Sequence, residues 1–111
     1  MTQPLRGPTV VSLEHAIAPR YATRQLVDLG PRVIKIERPG SGDFARGYDT
    51  RVRGLASHFV WTNRSKESLT LDAKHPQAAQ ILQRLVLKMP TCWCRTWPPA
   101  QPHGWVWATR C

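Results

Sequence analysis

The side chains in this chain that could do chemistry fall into two separate groups. All seven carboxylates (Glu14, Asp28, Glu37, Asp43, Asp49, Glu67 and Asp72) precede Met89, and all three cysteines (Cys92, Cys94 and Cys111) follow it. A carboxylate can act as acid, base or covalent nucleophile only where a partner positions it. Asp28 falls on an expected helix and Asp43 and Asp49 in an expected loop, with no positioned partner in sight, so these and Asp72 are read as structural and no catalytic residue is assigned. Cys92 and Cys94 form a CxC pair that His103 could join as a third metal ligand. That spacing is not the CxxC of a zinc knuckle and no second pair balances it, so no metal is expected. An odd number of cysteines also argues against a disulfide framework.

The elements that would position such groups read as α/β. Thr9 to Leu13 (TVVSL) is short, β-branched and apolar, which suits a buried parallel strand. A turn through Glu14 to Pro19 leads to a helix from about Tyr21 to Leu29, with Ala22, Leu26 and Leu29 as its apolar stripe and Gly30-Pro31 as its stop. A second strand at Arg32 to Arg38 ends in Pro39-Gly40-Ser41-Gly42. Strand, helix and strand in close succession predict a parallel crossover, whose ligands bind beyond the carboxyl ends of the strands. No GxGxxG follows the first strand, which removes the dinucleotide fingerprint of a dehydrogenase. Further on, Leu55 to Thr62 is read as a short helix and Ser68 to Asp72 as a strand. Asp72 to Lys88 reads as the clearest helix, with Pro76 near its first turn and Ala79, Leu82, Leu85 and Val86 on one face.

At 111 residues the chain has room for one modest domain, and 41% apolar with 21% charged residues is ordinary globular usage. A net charge of +9 raises the alternative of a small basic nucleotide- or nucleic-acid-binding protein. The cations are scattered singly, however, with no dense block and no recognisable DNA- or RNA-binding motif, so nucleic acid is not the expected partner. No apolar run is long enough to span a bilayer and the N-terminus lacks signal-peptide order, so a cytoplasmic protein with no membrane contact is expected.

Composition changes abruptly at Met89. Beyond it there are no acids, but four tryptophans (Trp93, Trp97, Trp105 and Trp107) and four prolines (Pro90, Pro98, Pro99 and Pro102). No helical or strand period survives these prolines, so residues 89–111 are expected to form no folded element.

Three stretches together resemble the N-terminal region of the class III CoA-transferases, the CaiB/BaiF type that includes formyl-CoA transferase. They are Pro4 to Tyr48, carrying PLRG, DLG and VIKIERPGSGDFARGY; Asn63 to Asp72, NRSKESLTLD; and the helix from Lys74 to Lys88. The resemblance implies a Rossmann-like βαβ portion of that fold in residues 1–88, incomplete, followed by an irregular, non-native tail at 89–111. It further implies an enzyme that moves CoA between carboxylic acids through an aspartyl-CoA thioester. Its substrates would be an acyl-CoA and a carboxylic acid, without metal, in an interlocked homodimer. The family nucleophile would lie downstream of this chain, so no turnover and no interlocked dimer are expected of it. By the same resemblance Ala16, Ile17 and Ala18 border the CoA, Arg38 lies by its adenosine-phosphate end, and Leu71 and Lys74 line the adenine side. Many relatives place a Gly-Pro or Ala-Pro pair one position later than Pro19-Arg20, which leaves the shape of the first loop open.

The family's next words after the helix are of the kind ADVLVQN-APGA. Reading the gene two bases later from Met89 forces Ala from Met89-Pro90, Val from Trp93-Cys94, Ala from Trp97-Pro98 and Gly from Trp107-Ala108, since Met and Trp have single codons. With permitted choices at degenerate bases the tail becomes ADVLVQNLAPGAAARMGLGYEV. Met89 to Cys111 is therefore read as a frameshifted product, natural or a sequencing error, whose cysteines and tryptophans carry no selected function.

Overall fold

Successive side chains of a strand point to opposite faces, so a strand apolar at every position must be covered on both sides. The computed structural model, which describes residues 2–13, 17–88 and 91–95, meets that demand with helices and a polar cluster around a parallel sheet. Strand β1 is Thr9–Leu13, helix α1 Ile17–Asp28 and strand β2 Arg32–Glu37. A 3₁₀ turn at Phe44–Gly47 precedes helix α2 at Ser57–Asn63 and strand β3 at Glu67–Thr70. Helix α3 is Ala78–Lys88 and strand β4 Thr91–Arg95.

The four strands are parallel in the order β3-β2-β1-β4. Val11 pairs with Ile34, Leu13 with Ile36 and Ile36 with Leu69, so these side chains share one face of the sheet. There Val11, Ile34 and Ile36 join Leu82 of α3 in the apolar core, with Leu13, Leu69, Leu71 and Leu85 packed around it. The opposite face carries Ser12, Lys35 and Glu37, all buried. Burial of such groups demands partners, and α1, α2 and the 3₁₀ turn supply them.

Helix α1 corrects the sequence reading twice. It starts at Ile17 rather than near Tyr21, so Ile17 and Ala18 are helical, and Pro19 sits in a first turn, where its missing N–H breaks no intrahelical bond. Its inward side is also polar: Arg20 and Thr23 are buried, whereas Ala22 and Leu29 of the expected stripe are exposed and only Leu26 is half-buried. The helix ends as expected at Gly30, whose φ of +115° favours glycine and where a Cβ would lie 2.8 Å from the Gln3 side chain. The N-terminal segment is thereby held, with the Leu5 N–H donating to the Leu29 carbonyl at 3.0 Å.

Helix α3 starts at Ala78, not Asp72. The Asp72 carboxylate accepts the Lys74 N–H at 3.0 Å and His75 Nδ1 the Gln77 N–H at 3.1 Å, local bonds that compete with helix, while Pro76 steers His75 away from helical geometry. Strand β3, expected at Ser68 to Asp72, starts one residue earlier and ends two earlier, although the Leu71 N–H still donates to the Glu37 carbonyl at 2.9 Å. The largest difference is β4, where no element was expected. Thr91 to Arg95 contains no proline, and the edge of β1 offers it a full parallel ladder. Residues 96–111, with His103 and three of the tail's tryptophans, lie outside the described residues.

Candidate functional site

Strands β1, β2 and β3 end side by side, and an open cleft of about 700 Å³ lies beyond their carboxyl ends. Leu13 closes β1, Ile36 to Pro39 close β2, and Leu71 to Lys74 leave β3; Gly42, Asp43 and Phe44 complete the wall. Of the residues singled out from sequence, Arg38, Leu71 and Lys74 thus line one cleft, though Leu71 is 33 positions from Arg38 in the chain. Ala16 lies outside the described residues, and Ile17 and Ala18 form the first turn of α1.

The loop between β2 and the 3₁₀ turn is held by Glu37. Its Oε2 accepts the Asp43 N–H and Arg46 Nε, each at 3.0 Å, and its Oε1 accepts Arg46 Nη2 at 2.9 Å and the Ser68 hydroxyl at 3.0 Å. Burial alone raises the pKa of this carboxyl, but the Arg46 fork, the Ser68 hydroxyl and the Asp43 N–H together outweigh it and hold it down at about 2. Gly42 at φ +63° makes the loop possible, since a Cβ there would meet Glu37 Oε2 at 2.6 Å.

Asp43 is the centre of a buried ionic cluster. Its carboxylate accepts hydrogen bonds from Arg20 Nη2, from Lys35 Nζ and from the Ala45 N–H at 2.9 Å. The side chains of Arg20, Asp43 and Lys35 are 1%, 2% and 3% exposed. Burial pushes the Asp43 carboxyl up, yet the Lys35 ammonium, the Ala45 N–H and the Arg20 charge pull it below its ordinary value. Lys35 also donates to Asn63 Oδ1 at 2.8 Å, and Lys66 Nζ to the Arg20 carbonyl at 3.0 Å, so the cluster ties α1, α2 and β2 together.

Arg38 is placed differently. Its Nε donates to the Gly42 carbonyl at 2.9 Å and its guanidinium lies 3.7 Å from the centroid of Phe44. No acceptor engages its Nη groups among the described residues, and none engages Lys74 Nζ. With Glu37 and Asp43 neutralised internally, Asp72 is the one remaining carboxylate among the described residues that line the cleft with these two cations.

Asp28, Glu67 and Asp49 have structural duties. Asp28 pairs with Arg24 and with Arg64 at 3.2 Å, and Glu67 with Arg32 at 2.6 Å. Asp49 accepts the N–H groups of Arg51 and Ser57 and the Ser57 hydroxyl, which hold its pKa at about 2. Sequence reasoning missed Phe44 and the Arg20–Asp43–Lys35 cluster. One signal was present: a lysine in the middle of the apolar strand RVIKIE needs a buried counter-charge. Among the described residues, Arg20 and Lys35 are buried and Arg24, Arg32, Arg46 and Arg64 are paired with carboxylates, so these six cations are not free to track a phosphate backbone. No helix among the described residues is long and apolar enough to cross a membrane, and none of their His, Cys, Asp and Glu side chains gather in a group of three or more.

A parallel α/β sheet with a ligand-sized cleft at the carboxyl ends of its strands is the general architecture of nucleotide-type binding folds. The particular family follows from comparison: the profile of CoA-transferase family III matches residues 5–89, and the chain belongs to that family. It is 37% identical over 84 residues to succinyl-CoA:glutarate CoA-transferase of Mus musculus, covering 75% of this chain and 19% of that protein. Formyl-CoA:oxalate CoA-transferase of Bradyrhizobium sp. (strain ORS 278) is 36% identical over 89 residues, covering 79% and 21%. Among solved structures, a CAIB/BAIF family protein from Brucella suis superposes with a TM-score of 0.70 at 31% identity, over 84% of this chain and 26% of its own. A hypothetical protein from Mycobacterium tuberculosis gives 0.67 at 41%, over 74% and 22%. The chain spans about a fifth of the length of the curated relatives it matches.

Proposed function

We infer that the cleft is the adenosine-phosphate side of a coenzyme A site, and that the chain corresponds to the N-terminal part of an enzyme transferring CoA between carboxylic acids. The observation that carries this reading is convergence: Arg38, Leu71 and Lys74, named from a sequence resemblance, line one cleft. The donor set suits the ligand. Arg38, whose Nη groups meet no acceptor among the described residues, and Lys74 match phosphate charge, the arginine by paired hydrogen bonds and the lysine as a point charge, while Leu13, Ile36 and Leu71 offer apolar walls to a base. The backbone N–H groups of Ile17 and Ala18, in the first turn of α1, belong to the orphan donors that favour anions, which supports a backbone role for the Ala16–Ala18 segment.

No residue is given a catalytic role, because each carboxylate among the described residues is engaged in an ion pair or a backbone cap. The acyl-CoA and carboxylic acid substrates, and an interlocked homodimer, belong to the longer protein. Calorimetric titration of the 111-residue chain with CoA tests the reading. Saturable binding is expected, weakened about tenfold or more by R38A or K74A on the scale of lost charge-assisted hydrogen bonds. Absence of binding by the wild-type chain refutes it.

The tail is read as out of frame, residues 1–88 alone being native. In the alternative frame the codons running from Thr91 to Arg95 give VLVQ, a strand-forming sequence with two valines, where β4 lies beside β1. That coincidence supports the reading. Sequencing the locus tests it, since a coding strand unable to yield the alternative peptide rules it out.

A further inference from the structure

An arginine left to itself samples many rotamers, and a phosphate that binds it must freeze them at the cost of side-chain entropy. Arg38 is not left to itself. Its Nε is committed to the Gly42 carbonyl at 2.9 Å and its guanidinium stacks on the Phe44 ring at 3.7 Å. Phe44 leads into the 3₁₀ turn directly after Asp43, whose N–H donates to Glu37 and whose carboxylate is fixed by Arg20 and Lys35. The ring is therefore seated on the most strongly tethered point of the loop, yet it is 57% exposed and contributes little to the core. A large aromatic side chain more than half exposed at the lip of a cleft gains little from its own burial. What it carries there is the Arg38 guanidinium, held over its ring.

We propose that Phe44 is a positioning residue. With the Gly42 carbonyl it holds the Arg38 guanidinium in one plane before ligand arrives, keeping the Nη groups available at the cleft for a phosphate-bearing ligand. This rests on the reading of the cleft as a CoA site, but the orientation itself can be measured without any ligand. Both Arg38 and Phe44 are at the surface, so their substitution spares the fold.

Two measurements on the full chain decide it. In the first, CoA is titrated into wild type, F44A, F44Y, R38A and the F44A/R38A double variant. F44A is expected to weaken binding about two- to fivefold, the scale of an exposed cation–π contact, and F44Y to restore it because the ring face remains. On the R38A background F44A should have no further effect, because its contribution acts through the guanidinium. An undiminished F44A effect on that background overturns the proposal, as does wild-type affinity in F44A. In the second, the Arg38 Nε–H proton is followed by NMR without ligand. Wild type and F44Y should show a ring-shifted, slowly exchanging signal, and F44A a signal collapsed to the position of free arginine. If wild-type chain binds no CoA, the CoA reading fails and this signal alone judges Phe44. An Arg38 signal indifferent to F44A overturns the positioning role.

Discussion

Replacing Asp43 by asparagine keeps the shape of the side chain and removes the one carboxylate that Arg20 and Lys35 share. Both cations are almost completely enclosed, at 1% and 3% exposure, so neither can turn to water for compensation. Removing one partner of a buried ionic arrangement leaves uncompensated charge inside and typically costs about 3–5 kcal/mol. Arg20 already has Nε and Nη1 buried without an acceptor among the described residues, so none of those residues can take over from Asp43. A domain of this size has only about 5–15 kcal/mol in total, so D43N should lower the urea midpoint sharply or abolish the cooperative transition. Far-UV circular dichroism during urea unfolding reads this out, with D28N as the surface control, because Asp28 is 46% exposed and its partner Arg64 65% exposed. The triple replacement R20M/K35M/D43L removes the whole cluster at similar volume and should recover most of the loss, since apolar substitutes for a buried ionic group are commonly neutral or better. A D43N protein with the wild-type midpoint would refute the account of the ionic face.

Leu82 is 1% exposed at the centre of the apolar core, and L82A should cost about 2–5 kcal/mol by the same unfolding assay. Glu37 has its pKa lowered from 4.5 to about 2, so its folded-state advantage is fully present above pH 4.5 and lost as pH falls from there toward 2. Across that window Glu37 itself accounts for at most about 3 kcal/mol of the wild-type loss, and E37Q should flatten the acid limb by that share. G42A places a Cβ 2.6 Å from Glu37 Oε2 in a left-handed conformation, and should cost at least the 1–2 kcal/mol of that conformation, visible as a lower melting temperature.

Much of the fold was legible because β1 and β2 are dense in apolar, β-branched residues between turn residues, even with Ser12 and Lys35 inside them. Gly30 likewise marked the end of α1. What periodicity could not reveal was the sign of a face. A stripe rule looks for apolar residues, and the inner side of α1 presents Arg20 and Thr23, which are buried only because Asp43 waits 23 residues later to meet Arg20. The start of α3 was misjudged because Asp72 and His75 satisfy backbone donors locally, an option no propensity sum includes. β4 was missed because the prolines around Thr91 to Arg95 speak for local breaks, while the pairing partner, β1, lies about eighty positions away. At the site, Arg38, Leu71 and Lys74 came from resemblance. The contribution of Phe44 depends on a stacking geometry that spacing alone does not encode.

An amide NMR titration of the chain with CoA tests the central claim most directly. Saturable shifts are expected at the carboxyl ends of the strands, at Arg38, the Gly42–Phe44 loop and Leu71 to Lys74. Shifts centred away from that cleft, or a spectrum unchanged at millimolar CoA, would contradict it.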